Sequence, residues 1–251
     1  MTNDPMPTRR TPPSTYAISA LIAIVLVAWA CRTVHQLHDT AAESTSSGKL
    51  CYLGGAMHIY NEVHGRLPGP NAPGRETPRD GPQYPVSWRV RILPYIEEQK
   101  LFDEYRFDEP WDGPHNEQLT IRMPKVFRHP KADVLGDPVG HTHYRVFVSR
   151  PGAKPSALFT DGLRGPTLNE IADGTSYTIM IAEATEAVPW TMPEGLVFDP
   201  DAQLPKIGGL FPKSTRVLMV NSAGQSFRSG MPDDKLRAWI TKDGGDIPDG
   251  E

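Results

Sequence analysis

Tyr16–Cys31 reads YAISALIAIVLVAWAC, an uncharged run in which only Ser19 is clearly polar. At about 1.5 Å per residue, a helix over this run spans roughly 24 Å, or roughly 27 Å with Ser14 and Thr15 included, slightly short of a bilayer core of about 30 Å. Three readings compete: a single-pass anchor, a cleaved signal peptide, and a lipoprotein signal with Cys31 as the acylated residue. Each sends the residues after Cys31 across a membrane, and the anchor is the leading expectation. Arg9 and Arg10 precede the run and Arg32 follows it, so the positive-inside rule favours an inside N-terminus only weakly. Ala28-Trp29-Ala30 has the small-x-small form of a cleavage site, and Ala30-Cys31 would suit a lipoprotein peptidase except that Ala28 stands where Leu is usual.

Outward from this run, the first 15 residues form a polar, Pro-rich arm, expected to be disordered. Residues 32–49 read as a juxtamembrane helix or linker. Ser44-Thr45-Ser46-Ser47-Gly48 suggests a break or kink there. In the stretch that follows, Leu50, Leu53, Met57, Tyr60 and Val63 recur at three or four residues and predict an amphipathic helix. Leu67-Pro68-Gly69-Pro70 ends it, and Asn71–Pro85 reads as an open loop.

Trp88–Tyr105 reads as helical in two pieces, divided at Pro94, which lacks a backbone donor. Alternation around Tyr144, Val146 and Val148 predicts a strand over 142–149. Leu168–Ala172 is expected to form one helical turn closed by Asp173-Gly174. Thr178–Ala184 predicts a buried strand, and Leu210-Phe211 and Val217–Asn221 two more. The last is expected to form a hairpin with Gln225–Arg228 through Ala223-Gly224. Asp233 and Asp234 are expected to cap a final helix bearing Leu236, Trp239 and Ile240, stopped at Gly244-Gly245. Helices first and strands later imply an α+β domain, residues 50–251, with an antiparallel sheet.

Composition bounds the function. Of 251 residues, 26 are Pro and 22 are Gly, which implies short elements and long Pro/Gly-rich loops. The net charge of −4 gives no basic excess for nucleic acid. HExxH, CxxC, GxSxG and phosphate-type Gly loops are all missing from the sequence, so neither an enzyme nor a cofactor is expected. His141 and His143 share a strand face, but a metal site wants three or four ligands, so they are expected to be solvated and no metal site is assigned; His35 and His38 fare no better. A candidate ligand-binding set is Asp108, Glu109, Trp111 and Asp112 with Trp190, since carboxylates beside indoles suit calcium or a sugar ring. The competing reading is structural: the acids accept backbone or arginine hydrogen bonds and Trp111 packs inward. On that reading Trp111→Ala costs about 3–5 kcal/mol.

Several motifs together resemble the bacterial domain-of-unknown-function family 1559, also filed under a solute-binding-protein label. They are Met57–Asn61 with Gly65–Gly69, Ser87–Val90 with Leu93–Glu97, Tyr105–Asn116, Ile171–Ser176, Glu183–Pro193, Leu204–Gly209 and Leu236–Gly245. The resemblance runs from about Cys51 to the C-terminus and carries no biochemical activity. It implies a pilin-like architecture, a long N-terminal helix on an antiparallel sheet, because members usually carry a prepilin-type N-terminus as in type II secretion pseudopilins.

Three departures stand out. The basic approach Arg9–Tyr16 lacks both the Gly and the Glu of the prepilin signature. His129 stands where the family has a Cys that the resemblance pairs with the position of Cys51, so Cys51 is expected to be free, and its neighbours place it on the buried side of its helix. Asn221-Ser222-Ala223-Gly224 replaces an Ala-Asp-Gly-Ser turn. The expectation is a single-pass bacterial membrane protein with its C-terminal domain on the periplasmic side and membrane lipid as partner through residues 16–31. Other envelope proteins or polysaccharide are further candidate partners. The leading function is a non-enzymatic structural or interaction role. A solute- or polysaccharide-binding module is the alternative, and a hydrolase the third reading.

Overall fold

The computed structural model describes residues 13–71, 83–162 and 164–245, with side chains from Ile24 onward. Most of the expected arm, most of the loop Asn71–Pro85 and the side chains of Tyr16–Ala23 therefore lie outside the described residues. Contacts divide the chain between Ala42 and Glu43.

The first helix, α1, runs unbroken over Pro13–His64, 52 residues. In its part before Glu43, Ile24, Val25, Leu26, Val27 and Trp29 are each more than half exposed. Thr33 and Thr40 turn their hydroxyls back to the carbonyls of Trp29 and Gln36, which keeps polar atoms within the helix. Among the described residues no helix is long and apolar enough to cross a membrane, and the apolar run is described with side chains only from Ile24.

The break expected at Ser44–Gly48 does not occur. Ser47 donates to the carbonyl of Glu43, four residues back, and Ser46 spends its hydroxyl across the domain, so neither serine competes with the helical backbone. Buried positions Ser46, Leu50, Leu53, Met57 and Tyr60 recur at the helical period. Val63, expected on that face, is exposed. Cys51 is free as expected but exposed, not buried; it is one position round from Leu50 and lies near Gly224. Gly65, at φ 73°, ends the helix in the left-handed conformation that glycine tolerates.

Short helices follow: α2 (Trp88–Arg91), a 3-10 turn at Leu93–Ile96, α3 (Gln99–Glu104), α4 (Asn116–Leu119) and α5 (Ala132–Leu135). Pro94 opens the 3-10 turn, so Trp88–Tyr105 is three pieces and not two.

The strands are β1 (His141–Arg145), β2 (Phe147–Ser149), β3 (Phe159–Thr160), β4 (Ile179–Pro189), β5 (Leu196–Phe198), β6 (Ser214–Met219) and β7 (Gly224–Arg228). An antiparallel sheet has the order β1-β4-β6-β7, with β6 and β7 forming the expected hairpin. The expected strand over 142–149 divides at Val146, and its second half joins β3 and β5 in a separate parallel sheet. Leu210-Phe211 is buried but not a strand.

Alternation along β6 gives the antiparallel sheet two faces. Leu218 and the following Val220 pack with Leu50, Leu53 and Met57 of α1. Val217 and Met219 pack with Phe227 and with Leu236, Trp239 and Ile240 of the last helix, α6 (Asp233–Ile240). Pro232 occupies the cap of α6, and Asp233 and Asp234 stand in its first turn, where carboxylates favour the helix dipole. The fold is thus α+β, with a long helix packed on an antiparallel sheet.

Helix and sheet meet closely at Gly54, where an added Cβ would come 2.6 Å from Leu218 Cδ2. At Gly48 and Gly55 it would meet nothing within 4 Å. Gly54→Ala should therefore lose about 1–2 kcal/mol through overpacking, whereas Gly48→Ala and Gly55→Ala should each gain about 0.5–1 kcal/mol from helix propensity. Urea unfolding of the three variants checks the opposite signs.

Candidate functional site

Glu183 is the one charged residue in the apolar segment Ile179–Ala184 of β4. It is fully buried, and the donors to its carboxylate come from three separate parts of the chain. Its Oε1 accepts from the Ser46 hydroxyl of α1 at 2.5 Å and from His129 Nε2 at 3.1 Å; its Oε2 accepts from the backbone N–H of Arg216 on β6 at 3.1 Å.

The proton positions follow from the partners. His129 Nδ1 accepts from the Lys131 N–H, so the ring proton sits on Nε2, facing the carboxylate. Ser46 gives its only proton to Glu183, so it must accept from Tyr144 of β1, whose hydroxyl is 2.7 Å away. Burial pushes the Tyr144 phenol well above its ordinary pKa; its hydrogen bond with Ser46 opposes the shift and the charge of Glu183 adds to it. The phenol stays protonated and donates.

Serine, histidine and an acid thus meet, but not as a nucleophile and its base. The serine proton is directed at the carboxylate and away from the imidazole, and Ser46, His129 and Glu183 are at most 2% exposed. What the arrangement does is hold α1 on the sheet. Three further polar ties act alongside it. Glu43 Oε1 accepts from Ser214 at 3.0 Å and its Oε2 from Arg216 at 2.5 Å; Lys49 donates to the carbonyls of Lys125 and Arg128; His58 Nε2 donates to the Val220 carbonyl at 2.6 Å. Burial, then the Arg128 charge, lowers the Lys49 pKa.

His143 is buried and not solvated as expected. Its Nδ1 donates to the Ala184 carbonyl at 2.9 Å and its Nε2 lies 2.8 Å from an Asp137 carboxylate oxygen, with its ring edge-on to His129. His141, half-buried, is turned toward the Val139 carbonyl. Among the described residues no three His, Cys, Asp or Glu side chains converge where a metal ion could be held.

Arg89 is a second buried charge that composition does not reveal. It is fully enclosed and donates through Nε and Nη2 to the Tyr144 carbonyl and through Nη1 to Ser87 Oγ and the Met192 carbonyl. Burial, and then the nearby charge of Arg145, pull its guanidinium down to about 9, so it remains charged at neutral pH.

The five ligand candidates do not share one place. Trp190 is fully buried, stacks on Phe127 with ring centres 5.8 Å apart and donates its indole N–H to the Thr120 carbonyl. Its ring presents no surface to a ligand. Asp108 and Asp112 are exposed, and Trp111 is half-buried. Glu109 accepts the backbone N–H groups of His115 and Asn116, which is the capping role of the structural reading. At the centre of the turn stands Asn116, fully buried. It accepts from the Arg106 N–H and donates to the carbonyls of Arg106, Glu109 and Pro110. No sequence signal marks it, since a lone Asn in a turn-rich stretch is ordinary, whereas Glu183 is signalled by its position in an apolar strand. Cys31, the candidate lipidation residue, is an exposed free thiol on α1.

Glu183→Ala should cost about 3–5 kcal/mol, because it strands three buried donors. Glu183→Gln should cost about 1–3 kcal/mol, since its amide NH₂ must face a donor on one side or the other. Asn116→Ala should cost about 2–4 kcal/mol by orphaning buried backbone groups. Trp111→Ala should fall below the 3–5 kcal/mol of a fully buried indole, because part of its ring is already exposed. Urea unfolding of the four variants orders these costs.

No curated protein and no solved structure matches the chain. Residues 43–162 match a family model, beginning at the residue where the compact second unit begins. The motifs at 57–69, 87–97 and 105–116 fall inside the match, and those from Ile171 onward lie beyond it. The matched model is SBP_bac_10, described as a protein of unknown function (DUF1559), so residues 43–162 are similar to the family that the sequence motifs resemble.

Proposed function

We propose that this chain is a membrane-anchored, non-enzymatic protein of the bacterial envelope, related to type II secretion pseudopilins, with a structural or interaction role. The observation that carries the reading is α1: one helix begins in an uncharged apolar run and ends packed on an antiparallel sheet. The architecture is the one the family resemblance implies. Ile24, Val25, Leu26, Val27 and Trp29, exposed side by side, would be unfavourable in water and would gain from lipid. The buried polar cluster supports a structural role, since its serine, histidine and carboxylate are turned on one another and closed to substrate.

The site that a hydrolase would need is not supplied by this cluster, and the binding alternative through Trp111 and Trp190 loses Trp190 to the core. In this proposal the domain after residue 42 lies on the periplasmic side, and its partners are lipid through residues 16–31 and other envelope proteins. Without the prepilin Gly and Glu, the arm stays attached.

Fractionation of cells expressing the full chain tests this. The protein should sediment with membranes, resist high salt, dissolve in detergent and retain its N-terminal arm by sequencing. Recovery in the soluble fraction would overturn the anchor; an N-terminus at Cys31 would make it a lipoprotein instead.

A further inference from the structure

On the sheet face opposite α1, a groove of about 310 Å³ opens between the 203–209 segment, β7 and the start of α6. Its walls are fixed to the sheet. The Lys206 carbonyl accepts from the Thr185 N–H, Ile207 bridges to Ala184, and Gly208 N–H donates to the Glu183 carbonyl at 2.7 Å. Gly208, at φ 73°, approaches so closely that a Cβ there would lie 1.8 Å from Thr215 Oγ1. On the far side Arg228 is held in register opposite Ser214, and Phe227 opposite Thr215. The groove is therefore preformed, and its volume is at the lower end of the range for small-molecule sites, about 300–1,000 Å³.

The lining combines an apolar interior with charge at the rim. Leu204, Ile207, Phe227 and Met231 supply the apolar surface, with Phe227 backed by Trp239 at 5.3 Å. Lys206 and Arg228 are exposed at its edge, and neither side chain makes a hydrogen bond or ion pair among the described residues. Asp233 is the one acid in the lining. Two cations against one carboxylate leave one positive charge, in a chain whose net charge is −4. That balance matches a monoanion better than a doubly charged phosphate.

We propose that this groove binds a small amphiphilic monoanion, with an apolar body between Leu204, Phe227 and Met231 and a carboxylate head paired with Lys206 and Arg228. The site is distinct from Trp111 and its acids, and it does not depend on how residues 16–31 meet a membrane.

Calorimetry on the full chain in lipid nanodiscs tests it with 3-phenylpropionate and its neutral counterpart 3-phenylpropanamide. The acid should bind, and bind more tightly than the amide. Lys206→Ala/Arg228→Ala should weaken the acid at least about tenfold, the loss expected for charge-assisted hydrogen bonds, and leave the amide unchanged. Met231→Trp, which fills the groove from a half-buried position, should weaken both probes, with the urea midpoint reporting that the domain stays folded. No binding of either probe to the native chain would overturn the proposal. So would equal affinity for acid and amide, or an acid affinity unmoved in the double variant. The assay reads the same whether the chain proves to be anchored, lipidated or soluble, so its failure is separable from failure of the anchor.

Discussion

A carboxylate can sit inside an apolar sheet only if every lone pair directed at the protein finds a donor, because an unpaired buried charge costs several kcal/mol. Glu183 meets that condition with donors from α1, β6 and the segment before α5. Few placements of those elements could satisfy it, so the carboxylate specifies how helix, sheet and loop must be assembled. Apolar burial by Leu50, Leu53 and Met57, roughly 1.5–3 kcal/mol each, supplies most of the attraction but tolerates sliding. The hydrogen bonds of Ser46, and the close approach at Gly54, fix where along the sheet the helix stops.

The same network explains how the domain does without a disulfide at this place. The family resemblance puts a cysteine where His129 stands, yet His129 is buried, bonded to Glu183 and packed against Tyr144, His143 and Phe211. Cys51 is left exposed and unpaired. A hydrogen-bonded histidine constrains only the folded state, whereas a disulfide also restricts the unfolded chain.

Function in this reading is divided between the two faces of the sheet. The α1 face is closed, with Glu183 and its donors Ser46 and His129 buried against one another, and it serves attachment of the long helix. The α6 face retains a preformed groove with two cations on its rim. Around the rest of the domain, loops are held by buried single residues, such as Asn116 in the acidic turn and Arg89 beneath the Tyr144 carbonyl.

Periodicity and chemistry local to a segment were legible without coordinates. The apolar run, the helical recurrence after Leu50, the β6–β7 hairpin, the buried core of β4 and the family motifs depend on neighbours in sequence, and the α+β class follows from their order. What depended on tertiary contact was not legible. The serines at 44–47 look like a helix break until Ser46 finds Glu183 across the sheet. The strand at 142–149 divides at Val146 because its halves pair with different partners, one antiparallel and one parallel. Trp190 looks like a ligand platform until Phe127 and the Thr120 carbonyl enclose it. Cys51 is exposed although its neighbour Leu50 is buried, since one residue turns a helix by about 100° and the sheet alone decides which side is covered. Pattern determined which segments have an apolar face; only the packed fold decided which buried polar atoms would meet, because those meetings join residues far apart in sequence, as Glu183 joins Arg216, 33 positions away, His129, 54 away, and Ser46, 137 away.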